Sequence, residues 1–171
     1  VSPMCQYSAD DGSATDWHMQ HWMTLAMSGA AMVTIEATGV ERRGRITHQC
    51  LGLSTDDNEA AAARTLAAAR RVAPHGTRFG IQLAHAGRKA SSTIPWRGAS
   101  NETEEEKKAL DFAAWTPVAP TAEKHAAAYT MPEALDSAGM ARIRDGWAAA
   151  ARRAQAAGFD MIELHSAHGY L

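Results

Sequence analysis

The densest group of reactive side chains in the sequence is His165-Ser-Ala-His168-Gly-Tyr170. Two imidazoles three residues apart can direct N–H groups at one carbonyl oxygen, or together ligate one metal ion. A metal site needs a third protein ligand, usually Cys, His or a carboxylate; Cys5, His85 or Glu36 could supply it. Tyr170 adds a phenol that is protonated at neutral pH, with a reference pKa of about 10, and so can deliver a proton. Elsewhere, Gln82 carries the paired donor and acceptor that suit the edge of a heterocycle. His85-Ala-Gly87-Arg88-Lys89 puts cations in a Gly-containing turn that suits an anion. Cys5, taken alone, reads as a small buried apolar residue. There is no G-x-G-x-x-G fingerprint, no P-loop and no G-x-S-x-G elbow, which argues against a dinucleotide-binding Rossmann domain and an α/β-hydrolase.

These residues need elements to hold them. Three short apolar runs bounded by glycine, Ala31–Ala37, Phe79–Ala84 and Phe159–His165, read as buried parallel strands. Val1–Met4 reads as the tail of an earlier strand. Between them the pattern predicts helices. One runs to about Ser28, capped by Thr15 or Asp16, with Met19, Trp22 and Ala26 on one face. A second opens at Thr55-Asp56-Asp57 and ends near Pro74. A third is capped by Ser137, repeats Ile143, Trp147, Ala151 and Ala154, and stops at Gly158. The order implies parallel strands with right-handed crossovers. Residues 85–136 form a long insert after the third strand, with the charged run Glu102–Lys108 as one or two helical turns.

With strands so placed, the reactive residues gather at one end. Cys5 and Tyr7 follow the first strand; Glu36 and Gly39 end the second; Gln82, His85 and Arg88 end or follow the third; His165, His168 and Tyr170 end or follow the fourth. In parallel α/β folds the C-terminal strand ends share the face that carries the active site.

Composition bounds the remaining choices. The 171 residues hold 17 Lys+Arg against 19 Asp+Glu, a net charge of −2, with 46% hydrophobic residues. That is globular composition, too apolar for disorder and without the basic excess of a nucleic-acid or anionic-membrane binder. No apolar run approaches the ~20 residues that span a bilayer. The start VSPMCQYSA lacks the basic and apolar regions of a signal peptide. Cys5 and Cys50 make no disulfide framework and no C-x-x-C pair, so the expected setting is the cytoplasm. The first residue is Val and the last are Gly169-Tyr170-Leu171, so both ends read as cut.

Seven motifs occur in an order that resembles the Old Yellow Enzyme family. They are Ser2-Pro-Met-Cys-Gln-Tyr7, Glu36-Ala-Thr38, Gly44-Arg-Ile46, Gln82-Leu-Ala-His-Ala-Gly-Arg88, Val118-Ala-Pro120, Ala157-Gly-Phe-Asp160 and His165-x-x-His-Gly-Tyr170. The Cys5/Tyr7 and His165/His168 pairs resemble the thermophilic-like bacterial branch of NADPH dehydrogenases and xenobiotic reductases. The resemblance implies an α/β fold, the (β/α)₈ barrel, of which residues 1–171 cover about the first four strands and three helices as the N-terminal half of one FMN-binding domain. It implies FMN as cofactor, NADPH or NADH as reductant, and an enone or enal as the small-molecule substrate. Ser2, Pro3, Met4 and Cys5 would lie along the flavin, Cys5 also serving catalysis by tuning the flavin's potential and touching the substrate pocket, with Gly39 at its edge and Gln82 on the pyrimidine edge. His165, which the resemblance also puts at the flavin, would hold the substrate carbonyl with His168; Tyr170 would be the proton donor and Tyr7 a second substrate contact. The resemblance also implies a homo-oligomer. A barrel of this type takes about 250 residues, so the later strands, which commonly bind the phosphate, lie outside this stretch. FMN should then bind the isolated 171-residue chain weakly. Two other readings fit the residues: a metal-dependent barrel enzyme built on His165 and His168, and a self-associating half-barrel without catalysis.

Overall fold

A computed structural model describes residues 1–98 and 115–171. Three parallel strands form its central sheet in the order β1 (Met32–Gly39), β2 (Arg78–Ala84) and β5 (Met161–Leu164). Helices α1 (Asp16–Ala26), α2 (Asp56–Val72) and α3 (Ser137–Ala157) supply the flanking layer. From α1 onward the order of the helices and the central strands matches the sequence pattern, and parallel neighbours joined through helices require crossovers.

Each helix follows from local chemistry. Thr55 caps α2 by accepting the Asn58 N–H at 3.2 Å; Asp56, Asp57 and Glu59 sit at its positive end and Arg70 and Arg71 at its negative end. Its buried Ala62, Leu66 and Ala69 recur at helical spacing. The cap of α3 is Asp136 rather than Ser137, because the Asp136 carboxylate accepts the Gly139 N–H at 2.7 Å. Gly158 ends that helix in the left-handed region, φ 96°, where a side chain would be strained. In α1 the cap is Thr15, and the buried face is His18, Trp22 and Ala26. His18 thus takes the place that spacing assigned to Met19: its ring folds back on the helix start, where Nδ1 accepts the Thr15 N–H at 3.1 Å.

The main core lies between sheet and helices. Val33, Ile35, Phe79, Ile81 and Leu83 face Trp22, Ala26, Leu66, Ala69, Ala150 and Ala154. Burying a large apolar side chain there contributes about 1.5–3 kcal/mol. The register aligns Gln82 with Glu163 and Gly80 with Met161. Between β1 and β2 it slips after Ile35, so Glu36 and Ala37 together oppose Gln82. That is a bulge, which re-aims side chains locally.

One expectation needs correction. Val1–Met4 is not a strand among the described elements, although the Val1 carbonyl accepts the Thr34 N–H at 3.0 Å and its ammonium donates to the Met32 carbonyl at 2.7 Å. The segment is tied to the edge of β1 at one residue only. Within residues 85–136, β3 (Val118–Ala119) and β4 (Glu133–Ala134) pair in parallel, and Arg43 holds this unit through Glu133 at 2.7 Å and the Thr116 carbonyl at 3.1 Å. The Glu102–Lys108 turn lies outside the described residues. Among the described residues no helix is long and apolar enough to cross a membrane.

Candidate functional site

Gln82 sits near the C-terminal end of β2, and its Nε2 donates to Glu163 Oε1 of β5 at 2.6 Å. Glu163 therefore fixes the amide orientation and leaves the Gln82 carbonyl oxygen free of that bond. Sequence reasoning passed over Glu163 as one residue of an apolar strand. Its signal was a carboxylate interrupting that run, two residues before His165.

Immediately after β5 the chain is pinned by the His165 N–H, which donates to the Leu83 carbonyl at 2.9 Å. A tight turn then brings three rings together. His168 Nδ1 lies 3.0 Å from His165 Nε2, and the Tyr170 ring centre is 5.1 Å from that of His165 and 5.5 Å from that of His168. The turn needs left-handed backbone at His168 and Gly169, each with φ 60°. Lys89 steadies it by donating to the His168 carbonyl at 2.7 Å, with its ammonium 5.7 Å from the Tyr170 ring centre. Burial and then His168 lower the His165 pKa, so its imidazole is a neutral N–H donor at pH 7. Burial, followed by Cys5, pushes Tyr170 up to about 12, which keeps its proton in place.

The N-terminal segment closes the other side. Gln6 N–H donates to Glu36 Oε2 at 2.9 Å, and the Gln6 carbonyl accepts Ser8 Oγ at 2.9 Å. Tyr7 adopts φ 50° and packs edge-on against Trp96 at 5.5 Å. Ser2 and Met4 are exposed and Pro3 half-buried, and Ser2, Met4, Gln6 and Glu36 border a cleft of about 190 Å³. Burial, then Cys5, raises the Tyr7 pKa, the neighbouring Tyr170 adding to it. Cys5 and Cys50, distant in sequence, meet as free thiols. The hydrogen bond to the Cys50 sulfur, then burial, drives the Cys5 pKa far up, and the same bond lowers that of Cys50.

Gly39 ends β1 opposite Ala84, and its N–H donates to the Leu51 carbonyl at 2.8 Å. A Cβ there would lie 2.6 Å from Arg45 Cγ, so glycine is required by the buried Arg45 side chain. His85 also serves the fold, since its Nδ1 accepts the Gly87 N–H at 3.0 Å and its Nε2 lies 3.1 Å from Glu41 Oε1. It therefore does not join the histidine pair. Among the described residues no group of three His, Cys, Asp or Glu could hold a metal ion.

Parallel strands and crossover helices thus carry an amide, paired imidazoles and phenols toward or beyond the C-terminal ends of the strands. The family model of the NADH:flavin oxidoreductase / NADH oxidase family matches residues 1–171. The chain belongs to that family. It is 39% identical to an NADH:flavin oxidoreductase of Gibberella zeae, covering all of this chain and 40% of that protein. It is 38% identical to the NADPH dehydrogenase of Bacillus subtilis, covering 44% of it. Among solved structures it resembles morphinone reductase, with a TM-score of 0.79 and 25% identity over all of this chain and 44% of that one. It also resembles the old yellow enzyme homologue of Zymomonas mobilis, with a TM-score of 0.74 and 26% identity over 99% of this chain and 44% of that one. The fold is accordingly part of a (β/α)₈ barrel, and the chain spans less than half the length of these relatives.

Proposed function

We propose that the protein to which this chain belongs is an FMN-dependent ene-reductase that passes hydride from NADPH or NADH to the activated C=C of an α,β-unsaturated carbonyl compound. The observation that carries this reading is the turn after β5, where His165, His168 and Tyr170 stand together beside the Gln82–Glu163 pair. The residues fit the ring of FMN: a carboxamide with its NH₂ held by Glu163 leaves a carbonyl oxygen for an imide N–H, and the Ser2–Cys5 segment presents an apolar, largely open surface. Ser2, Pro3, Met4, Cys5, Gly39, Gln82 and His165 are the proposed contacts. Bound FMN would supply the hydride chemistry.

The chain's own groups do the rest. The two imidazoles bond to each other in the structure, so a carbonyl oxygen takes over an N–H now engaged between them. Donors aimed at that oxygen favour the enolate-like transition state over the ground state. Tyr170 keeps its phenolic proton at neutral pH and gives it to the substrate α-carbon, while the Tyr7 hydroxyl helps to hold the carbonyl compound. A cytoplasmic homo-oligomer completes the proposal.

The test is a visible spectrum of the full-length protein after incubation with FMN and removal of the excess. Flavin that is bleached by NADPH and restored by cyclohexenone without oxygen is the expected result. Flavin that is bleached but restored only by oxygen refutes the ene-reductase step.

A further inference from the structure

The bulge in β1 carries a buried acid that the proposed chemistry leaves unused. Glu36 is 3% exposed and His18, from α1, is fully buried. Because His18 Nδ1 accepts the Thr15 N–H, its proton sits on Nε2, 3.7 Å from Glu36 Oε1. Neither of those two atoms has a hydrogen-bond partner. The other oxygen, Oε2, accepts the Gln6 N–H. A protonated Glu36 would turn an O–H toward the His18 N–H, whereas a carboxylate accepts the Gln6 N–H and faces the His18 N–H across 3.7 Å with a favourable charge, so the arrangement suits the ionised acid even though burial raises its pKa. Thr15 Oγ1 also donates to the Ser8 carbonyl at 2.9 Å, so α1 and β1 grip the same short segment from two sides.

We propose that Glu36, backed by His18, is a positioning residue that holds the Gln6 amide and thereby the backbone presenting Cys5 and Tyr7. Calling those two residues functional rests on the ene-reductase reading; the placement itself does not. The carboxylate has a second effect. Its negative charge faces Cys5, Cys50 and Tyr7 from the strand side, with His18 and His21 on the helix side, and it disfavours a thiolate at Cys5. The hydrogen bond to Cys50 and burial do most to keep Cys5 a neutral thiol, and the Glu36 charge adds to them.

The experiment uses the purified chain without flavin, so a failure here is separate from a failure of the flavin test. Amide exchange by NMR should find the Gln6 N–H protected in the wild type and unprotected in Glu36→Ala. Alkylation of Cys5 by iodoacetamide, read by peptide mapping, should become about threefold or more faster in Glu36→Gln at about pH 8, the gain in thiolate that losing one nearby charge brings. Buried Cys50 should stay unlabelled in both. An unchanged Cys5 rate in Glu36→Gln removes the charge effect, and a Gln6 N–H still protected in a Glu36→Ala chain with native circular dichroism overturns the proposal. If that variant does not fold, the wild-type Gln6 amide decides: exchange at the rate of an unfolded peptide overturns it.

Discussion

Replacing Asp160 by Ala should loosen the joint that sets β5 against β2. Its Oδ2 accepts the Phe79 N–H at 2.8 Å and Arg70 Nη2 at 2.6 Å, and its Oδ1 accepts Arg78 Nη1 at 3.2 Å. The Asp160 N–H in turn donates to the Phe79 carbonyl at 2.8 Å. Phe79 is fully buried, so removal of the carboxylate takes away the acceptor that its amide has in the fold. A hydrogen bond to a charged group contributes about 1.5–3 kcal/mol. The Arg70 pair, with side chains 35% and 21% exposed, adds at most about 1 kcal/mol after solvent screening, and the more exposed Arg78 adds less. The sum is about 2–4 kcal/mol. With a urea slope of roughly 2 kcal/mol/M, the unfolding midpoint should fall by about 1–2 M. Arg70→Met alone should lower it by a few tenths of that, since Arg70 also donates to the Gly158 carbonyl at 2.7 Å. A midpoint shift under about 0.3 M in Asp160→Ala would refute the claim that this carboxylate carries the β2–β5 register.

Three further outcomes follow from the same geometry. Acid should destabilise the chain. Burial acts against ionisation of Asp160, but the Phe79 N–H and Arg70 outweigh it, and Arg45 does the same for Asp11, so both carboxyls titrate below their ordinary values when folded. Glu41 behaves likewise, its burial outweighed by His85 and Arg142. Their contribution is complete above the unfolded pKa of about 4 and is lost as pH falls through the lower folded values, while Glu36, raised by burial, acts in the opposite sense. Thermal melts from neutral to acid pH read this directly, and a midpoint that rises on acidification would contradict it. Glu163→Leu frees the Gln82 amide to rotate and should weaken FMN binding by about tenfold, or roughly 1.4 kcal/mol, measured by flavin fluorescence; unchanged affinity would remove Glu163 from the site. Tyr170→Phe should leave bleaching by NADPH intact and slow restoration by cyclohexenone by about 10²–10⁴-fold; equal restoration rates would discharge Tyr170 as the proton donor.

Much of this molecule is legible in the order of its residues. Thr55 with its acids, the glycine at 158 and the apolar strand runs act through neighbours in sequence, so helix starts, helix ends and strand identity can be read from them. The seven spaced motifs likewise led to the family that the comparison found over the whole chain. The finer errors were local competitions. Asp136 caps where Ser137 was expected because its carboxylate reaches Gly139, and His18 displaces Met19 from the buried face because its ring can bond the helix start. What sequence spacing could not reveal was any pairing between distant segments. Glu163 meets Gln82, Cys5 meets Cys50, and Glu36 meets both Gln6 and His18 only after the strands have chosen their register. A slip of one residue in β1, opposite Gln82, separates those contacts from their alternatives. Side-chain types and spacings are local properties, whereas a register is fixed by the packing of the whole sheet against its helices, and only the tertiary structure decides it.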